Sequence, residues 1–344
     1  AVALTVGVFD ERLLLTWSND GGATWHAAVD VTTHNGVADV DNIDLACSGD
    51  VAYVVWRDNF RNGLDDTVWL SSFDLTAGAF LAQDVDVSPN LAFAGGDADD
   101  GVGVAVDQAN LAVIYHADKL GSTAEQLRAN LSADLGATWS GDAQVGQYDN
   151  VIAGHDVDNG QVLVEDGKVA VAWADDRSGV DQVYAAVADF GVGVFSADHH
   201  CSSGATAAGT PRLAGELDGE PLAVAWSQFP GETLHSCSYR NGYWSSAFPV
   251  SANLGDVDAP ALAWNDRYDN FLAAWLADDV GSNQVWAGGY RAAQVDAGVL
   301  VAGQPASFFV YGFEGGQFFQ VVAAGSPGSL ILPDGRDLGL TADN

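Results

Sequence analysis

Several residue types are scarce in this 344-residue chain. It has no methionine, three cysteines and only two lysines, Lys119 and Lys168. No run of uninterrupted apolar residues approaches the length of about 18 that a membrane-spanning helix needs, so the sequence predicts no such helix. Because methionine is missing even at position 1, we expect the chain to begin after a processing step or to be a fragment of a longer product.

Positive charge is also scarce. Twelve basic residues stand against 47 acidic ones, which gives a formal net charge of −35. Nucleic acid is excluded as a partner, because its phosphates would be repelled. An acidic surface suits a saline or calcium-rich exterior, so we expect a secreted, extracellular or cell-surface protein. The hydrophobic content of 48% is ample for a core, and the length fits a single all-β domain.

The cysteines do not form a complete disulfide framework, because three of them cannot all pair within the chain. Cys201 and Cys237 lie at the edges of neighbouring repeats and could pair. Cys47 follows an apolar strand segment and is expected to be a buried thiol. His199 and His200 precede Cys201, but no second cluster at a ligand spacing accompanies them, so we interpret them as an exposed loop rather than a zinc site.

Two stretches, Ser18–Trp25 and Ser132–Trp139, share the pattern Ser-x-Asp-x-Gly-x-Thr-Trp. We expect the Asp to fold back onto backbone N–H groups of its own turn and the Gly to take a conformation closed to residues with a Cβ. The Trp is expected to plug the turn onto a sheet. Each copy follows an apolar run and precedes an alternating one, which predicts a hairpin turn.

The two copies resemble the Asp-box of the sialidase-like, or BNR-repeat, β-propellers. The residues that carry the resemblance are Ser18, Asp20, Gly22, Trp25, Ser132, Asp134, Gly136 and Trp139. The resemblance implies a propeller fold. It implies no activity, because in that family the box is a folding device that lies away from the active face.

An apolar strand that ends in an aromatic residue and is followed by an acidic loop occurs five times. The aromatic residues are Trp56, Tyr115, Trp173, Trp226 and Trp275. Their spacings are 59, 58, 53 and 49 residues. These lengths are typical of a four-stranded propeller blade with modest loops.

The sequence therefore predicts an all-β, six-bladed propeller of four-stranded antiparallel blades that forms one domain over residues 1–344. Five blades are expected at roughly 37–90, 91–148, 149–204, 205–252 and 253–300. A composite blade from 1–36 and 301–344, with C-terminal strands Ser307–Tyr311 and Phe318–Val322, would close the ring without exposed sheet edges. Seven blades are expected instead if Ala3–Phe9 or Leu330–Leu340 forms strands of another blade.

An Asp-x-Asp motif recurs at the entrance to the first strand of four blades. The copies are Asp39-Val40-Asp41, Asp97-Ala98-Asp99, Asp156-Val157-Asp158 and Asp256-Val257-Asp258. Alternate carboxylates can turn to one Ca2+ ion, which takes six to eight oxygen ligands, so Asp41, Asp99, Asp158 and Asp258 are candidate calcium ligands. Each Asp capping its own loop by accepting backbone N–H bonds is the other interpretation, and both stay open.

The loops after the second strands place basic and acidic residues on the same face. The candidates for ligand binding are Arg57, Arg61, Arg177, Arg267, Asp175 and Asp278. The Asp–Arg neighbours in this set are interpreted first as structural pairs that brace their loops.

Sialidase activity itself is not predicted. As a family, sialidases clamp the substrate carboxylate with three arginines and use an Asp as acid/base and a Tyr activated by a Glu as nucleophile. The Arg-Ile-Pro-like motif of their first arginine is absent, and Pro211-Arg212-Leu213 is the nearest fragment, in the wrong order and blade. An acidic face would also repel an anionic sugar.

Catalytic residues therefore stay unassigned. The sequence favours a non-catalytic extracellular module that binds a glycan or another extracellular protein, with Ca2+ as the one cofactor suggested. A glycoside hydrolase or lyase of sialidase-like fold, acting on a neutral or cationic glycan, is the first alternative, since paired carboxylates could act as acid and base. A structural subunit of an extracellular assembly is the second.

Overall fold

The computed structural model describes fifteen segments of the chain, and the sheets and contacts of the fold lie within these segments. The segments are 1–6, 12–33, 40–58, 67–89, 101–118, 125–146, 157–202, 206–217, 221–229, 233–251, 257–265, 270–279, 282–290, 295–297 and 308–310. Their regular structure consists of β-strands, with no α-helix in any segment. Consequently no helix capable of crossing a membrane is found among these residues. The chain divides into two units, Ala1–Ala292 and Ala293–Asn344.

The first unit holds six antiparallel sheets in chain order, and the first three cover its N-terminal half. Sheet 1 contains β1 (Val2–Val6), β2 (Arg12–Thr16) and β3 (Val29–Asp30). Sheet 2 contains β4 (Val40–Ser48), β5 (Val51–Asp58), β6 (Thr67–Asp74) and β7 (Ala79–Asp86). Sheet 3 contains β8 (Val102–Asp107), β9 (Asn110–Asp118), β10 (Glu125–Ser132) and β11 (Ala143–Gln144).

The other three sheets continue the same pattern. Sheet 4 contains β12 (Val157–Glu165), β13 (Lys168–Asp175), β14 (Gln182–Asp189) and β15 (His199–His200). Sheet 5 contains β16 (Arg212–Gly215), β17 (Leu222–Gln228), β18 (Thr233–Arg240) and β19 (Tyr243–Trp244), with β20 (Phe248–Pro249) also paired to β18. Sheet 6 contains β21 (Val257–Asn265), β22 (Asn270–Asp279) and β23 (Ser282–Tyr290).

The second unit shows one short antiparallel pair, β24 (Val295–Ala297) with β25 (Phe308–Val310). The predicted strand Ser307–Tyr311 contains β25. The predicted strand Phe318–Val322 lies outside the described residues. The composite blade, the blade boundaries and the number of blades therefore stay predictions.

The second strands of sheets 2 to 5 are buried on both faces. Val54, Val55 and Trp56 of β5, for example, are each at most 1% exposed. This burial follows from stacking, since apolar clusters fill the space between sheets 1 and 2, 2 and 3, 3 and 4, 4 and 5, and 5 and 6. A strand covered on both sides needs an unbroken apolar run rather than an alternating one, which explains the repeated pattern in the sequence.

The first strands of successive sheets are neighbours, in the order β1, β4, β8, β12, β16 and β21. Carboxylates bridge some of these neighbours. Asp44 accepts the Val104 N–H at 2.8 Å between sheets 2 and 3, and Glu216 accepts the Trp264 Nε1–H at 2.9 Å between sheets 5 and 6. The prediction of an all-β propeller built from four-stranded antiparallel sheets is confirmed. Strand β1 contains the first residues of Ala3–Phe9, which the seven-bladed alternative placed in another blade, and it pairs with β2 of sheet 1.

The two Ser-x-Asp-x-Gly-x-Thr-Trp turns have matching hydrogen-bond networks. In the first, the Thr24 N–H and hydroxyl donate to Asp20 at 2.8 and 2.6 Å, and the Gly22 N–H donates to Ser18 Oγ at 2.8 Å. The second repeats these bonds from Thr138 to Asp134 and from Gly136 to Ser132, all at 2.7 Å. Both glycines have φ of +91°, which residues with a Cβ rarely adopt. The predicted fold-back of the aspartate is confirmed.

The tryptophans of the two turns differ. Trp139 packs against the apolar cluster between sheets 2 and 3, as predicted. Trp25 is 52% exposed, so the prediction that it plugs its turn onto a sheet is wrong. The turn geometry is fixed by hydrogen bonds within seven residues and does not require the aromatic contact.

The turn aspartates lead to a first prediction. Hydrogen bonds from the Thr24 side chain and backbone, and from Ser18, hold the pKa of Asp20 at about 2. Because this pKa is lower than the ordinary carboxyl value of about 4, the stabilisation is present above pH 4 and is lost as the pH falls through about 2. Asp20→Ala should therefore lower the melting temperature at neutral pH and have little effect near pH 2.

Thermal unfolding of the wild-type chain and Asp20→Ala across this pH range checks the prediction. Asp50→Ala, which removes an exposed carboxyl from the turn between β4 and β5, is the control and should change little at any pH. If the difference in melting temperature between wild type and Asp20→Ala stayed constant down to pH 2, the stabilisation would not come from hydrogen bonds to the ionised Asp20.

Two predictions about the cysteines and histidines are wrong. Cys47, near the end of β4, is exposed rather than buried. His199 and His200 form strand β15 at the edge of sheet 4 instead of an exposed loop, since they pair with Ala185 and Tyr184 of β14. Cys201 and Cys237 are buried free thiols.

Candidate functional site

A one-residue bulge interrupts the first strand of sheets 2, 4 and 6 at the same place. In β12, Asp158 pairs with Ala174 and Gln161 pairs with Ala172 of β13. The chain therefore advances by three residues on β12 but by only two on β13, which leaves one extra residue on β12. The equivalent shifts begin at Asp41 in β4 and at Asp258 in β21. Each bulge thus starts at the second aspartate of an Asp-x-Asp motif. Bulges bend a strand and re-aim its side chains, and they are enriched beside active sites.

Two of these bulges contain an asparagine with a left-handed backbone. Asn42 has φ of +47° and Asn159 has φ of +57°. Asparagine tolerates this conformation better than other residues with a Cβ. The shared sequence Asp-Val-Asp-Asn at 39–42 and 156–159 is the signal that sequence reasoning missed.

The bulge in β12 is held by a buried histidine from the neighbouring sheet. His116 of β9 is 1% exposed, and its Nδ1 contacts the carbonyl oxygen of Val157. Its Nε2 accepts the Gly160 N–H at 3.2 Å, so Nδ1 carries the proton and the ring is neutral. A Cβ at position 160 would lie 3.0 Å from His116 Nε2, which explains the glycine. The backbone on both sides of Asp158 is therefore fixed from sheet 3.

The candidate calcium ligands are only partly described. Asp158 is half-buried on β12. Asp41 and Asp258 lie at the equivalent register positions of β4 and β21, and Asp99 lies outside the described residues. Among the described residues, the carboxylates form no cluster with metal-ligand spacing. Calcium binding stays a prediction.

Of the candidate ligand-binding residues, the structure brings two together. Arg177 donates to Asp175 through Nε at 2.8 Å and through its backbone N–H at 2.7 Å. Arg57 lies on β5 opposite Asp41, and Asp278 lies on β22. Arg61 and Arg267 lie outside the described residues. The ligand-binding role of this set stays a prediction.

Arg177 is the centre of a compact charged cluster at one end of sheet 4. Besides Asp175, it binds Asp198 through Nη1 at 2.6 Å, and its guanidinium lies 4.1 Å from the centre of the Tyr184 ring. The side chains of Asp175, Asp198 and Arg177 are only 1%, 10% and 12% exposed. Burial by itself lowers the pKa of Arg177, but the bonds to the two carboxylates raise it above its ordinary value overall. Sequence reasoning did not find Asp198, because it is 21 residues away on the approach to β15.

Aromatic rings extend this cluster across the sheet. The ring of His200 stacks on Tyr184 at 4.8 Å, and Tyr184 stacks on Trp173 at 6.1 Å. Burial lowers the pKa of His200, and the charge of Arg177 lowers it further. The cluster therefore combines one guanidinium and two carboxylates with the rings of Tyr184 and His200. Its contacts are those of a brace that positions the loop after β13.

Comparisons with known proteins give similarity only to solved structures. No protein-family model and no curated protein sequence matches this chain. Penicillium chrysogenum α-L-arabinanase complexed with arabinobiose has a TM-score of 0.49 at 9% identity, over 72% of this chain and 80% of that one. Trypanosoma rangeli sialidase with the inhibitor DANA has a TM-score of 0.48 at 14% identity, over 80% of this chain and 49% of that one. The chain thus spans about half the length of that sialidase.

A third similar structure is the α-L-arabinofuranosidase arb93a of Fusarium graminearum, with a TM-score of 0.45 at 14% identity over 82% of this chain and 85% of that one. These structures are glycoside hydrolases by name, and this finding contradicts the expectation of a non-catalytic binding module. At such identities and TM-scores, the similarity shows nothing about the substrate of this chain.

Proposed function

We propose that this chain is a glycoside hydrolase of the sialidase-like propeller type that acts on a neutral or cationic glycan. The observation that carries the proposal is the repeated placement of an aspartate at the start of a bulge on the first strands of sheets 2, 4 and 6. In sheet 4, His116 fixes the backbone around that aspartate. A carboxylate held on a rigid bulge is suited to catalysis, which requires a fixed position relative to the reacting bond.

Glycoside cleavage needs two carboxyl groups, one to protonate the leaving oxygen and one to act as base or nucleophile. We assign Asp158 as one of the pair, with its partner among Asp41, Asp99 and Asp258. The separation of the pair would set the stereochemical outcome, at about 5–5.5 Å for retention and about 6.5–9.5 Å for inversion.

The charge of the chain supports the choice of substrate. A net charge of −35 and aspartates at the strand entrances would repel a sialic acid or a uronic acid. A neutral sugar is bound through hydrogen bonds and stacking and carries no such cost. The same acidity supports export to a saline or calcium-rich exterior as part of the proposal.

A substrate screen tests the proposal. The purified chain is incubated with a panel of neutral and amino-sugar glycans, linear arabinan among them, and with a sialoside as the anionic comparison, while new reducing ends are measured. We expect release from at least one neutral or cationic glycan and none from the sialoside. Failure to cleave any member of the panel above a heat-denatured control would overturn the proposal, and cleavage of the sialoside alone would overturn the substrate class.

A further inference from the structure

Three side chains with metal-binding atoms meet between sheets 4 and 5, away from the bulges. One ring nitrogen of His199 and the Sγ atoms of Cys201 and Cys237 all lie within 4.8 Å of one another. Cys201 is 2% exposed and Cys237 is 0% exposed, whereas His199 is half-buried. Among the described residues, this is the one group of three or more His, Cys, Asp and Glu side chains with such spacing.

The strand geometry explains why the three side chains meet. Successive residues of β15 point to opposite faces of sheet 4. His200 pairs with Tyr184 on the face toward sheet 3, so His199 turns to the face toward sheet 5. Cys201 follows on the chain and is anchored by its backbone N–H to the Val183 carbonyl at 2.8 Å. Cys237 lies on β18 of sheet 5 and belongs to the apolar cluster between sheets 4 and 5.

The surroundings favour an ion that prefers sulfur and nitrogen. The two thiols belong to a buried apolar cluster that includes Ala185, Val224 and Trp226. The ring of His199 stacks on Trp244, with the ring centres 4.9 Å apart and the planes 4° apart, which orients the imidazole.

We propose that His199, Cys201 and Cys237 form a binding site for Zn2+. Two thiolates and one imidazole are a known protein ligand set for zinc, which leaves a fourth position for water. Two thiolates also balance the charge of the ion, so the complex is neutral in an apolar pocket that an isolated charge would destabilise. Because the ligands come from two sheets, the ion would fasten sheet 4 to sheet 5. The site is independent of the proposed hydrolase function.

The probe is Co2+, followed by Zn2+. Reduced, chelator-treated protein is titrated with Co2+, and we expect thiolate-to-cobalt charge-transfer bands and tetrahedral d–d bands that saturate at one ion per chain. Addition of Zn2+ should remove both sets of bands and raise the melting temperature. Thiols are counted in the unfolded protein before and after the titration, so that the redox state is known.

Two matched variants identify the ligands. His199→Ala should weaken Zn2+ binding by about 100-fold or more, since loss of even a second-shell contact costs about 10–100-fold. His200→Ala changes the neighbouring residue on the opposite face, and Cys47→Ser removes the remote thiol, so both should bind as the wild type does. Absence of the cobalt bands in protein with three free thiols would overturn the proposal. A Cys201–Cys237 disulfide in protein purified without oxidant would also overturn it. So would an equal loss of Zn2+ affinity in His199→Ala and His200→Ala.

Discussion

Replacing Arg177 with alanine should lower the free energy of unfolding by about 3–5 kcal/mol, the usual cost of removing one partner from a buried ion pair. The substitution leaves Asp175 and Asp198 unpaired, with only 1% and 10% of their side chains exposed. It also removes the guanidinium from the face of Tyr184. At about 2–4 °C per kcal/mol for a large domain, the melting temperature should fall by on the order of 10 °C.

Arg12→Ala is the matched control. Arg12 forms an equally direct pair with Asp30, with Nε at 2.9 Å from Oδ1, but the two side chains are 50% and 44% exposed. A pair so accessible to water is typically worth about 0–1 kcal/mol. Chemical denaturation of both variants provides the comparison. Equal losses of unfolding free energy in the two variants would show that burial does not determine how much the Arg177 cluster contributes to stability.

Asp158→Asn should reduce kcat/KM for the best substrate of the screen by about 10²- to 10⁴-fold, the range for loss of a general acid or base. The amide has nearly the same shape as the carboxyl group but can neither release nor accept a proton at neutral pH. We expect the fall mainly in kcat, because the proton transfer occurs in the transition state.

Asp166→Asn is the control for this experiment. Asp166 follows β12 at the opposite end of the same strand, is exposed, and has φ of +44°, which asparagine accommodates. The same chemical change there should leave kcat/KM unaltered. If Asp158→Asn retained wild-type activity, or if both variants lost activity to the same extent, the assignment of Asp158 would be wrong. Melting temperatures of both variants show whether either loss comes from unfolding.

The repeated strands show what local pattern can reveal. The apolar run of β5 and its four counterparts predicted strands, and each of them is a strand in the structure. The turns at Ser18–Trp25 and Ser132–Trp139 could also be predicted from the sequence, because their hydrogen bonds join residues at most four apart. The solvent exposure of Trp25 could not be predicted from the sequence, since it depends on which side chains of the neighbouring sheet lie beside the turn.

The candidate site shows the opposite case. The Asp-x-Asp repeat marked the strand entrances, but the bulges were missed because a register shift exists only relative to the partner strand. The brace formed by Asp175 and Arg177 was visible as two nearby residues, whereas Asp198 joins it from 21 residues away. His116 reaches Val157 across 41 residues and a sheet boundary, and no spacing in the sequence indicates that contact.

By itself, the sequence determined the all-β class, the stacked four-stranded sheets and the acidic character, because apolar periodicity, turn chemistry and net charge are local or additive properties of the chain. The tertiary structure alone decided which side chains meet. Cys201 and Cys237 are 36 residues apart in the sequence, and His199 joins them only because the alternation of β15 turns it toward sheet 5. Such contacts arise from the packing of one sheet on the next, which depends on both sheets at once.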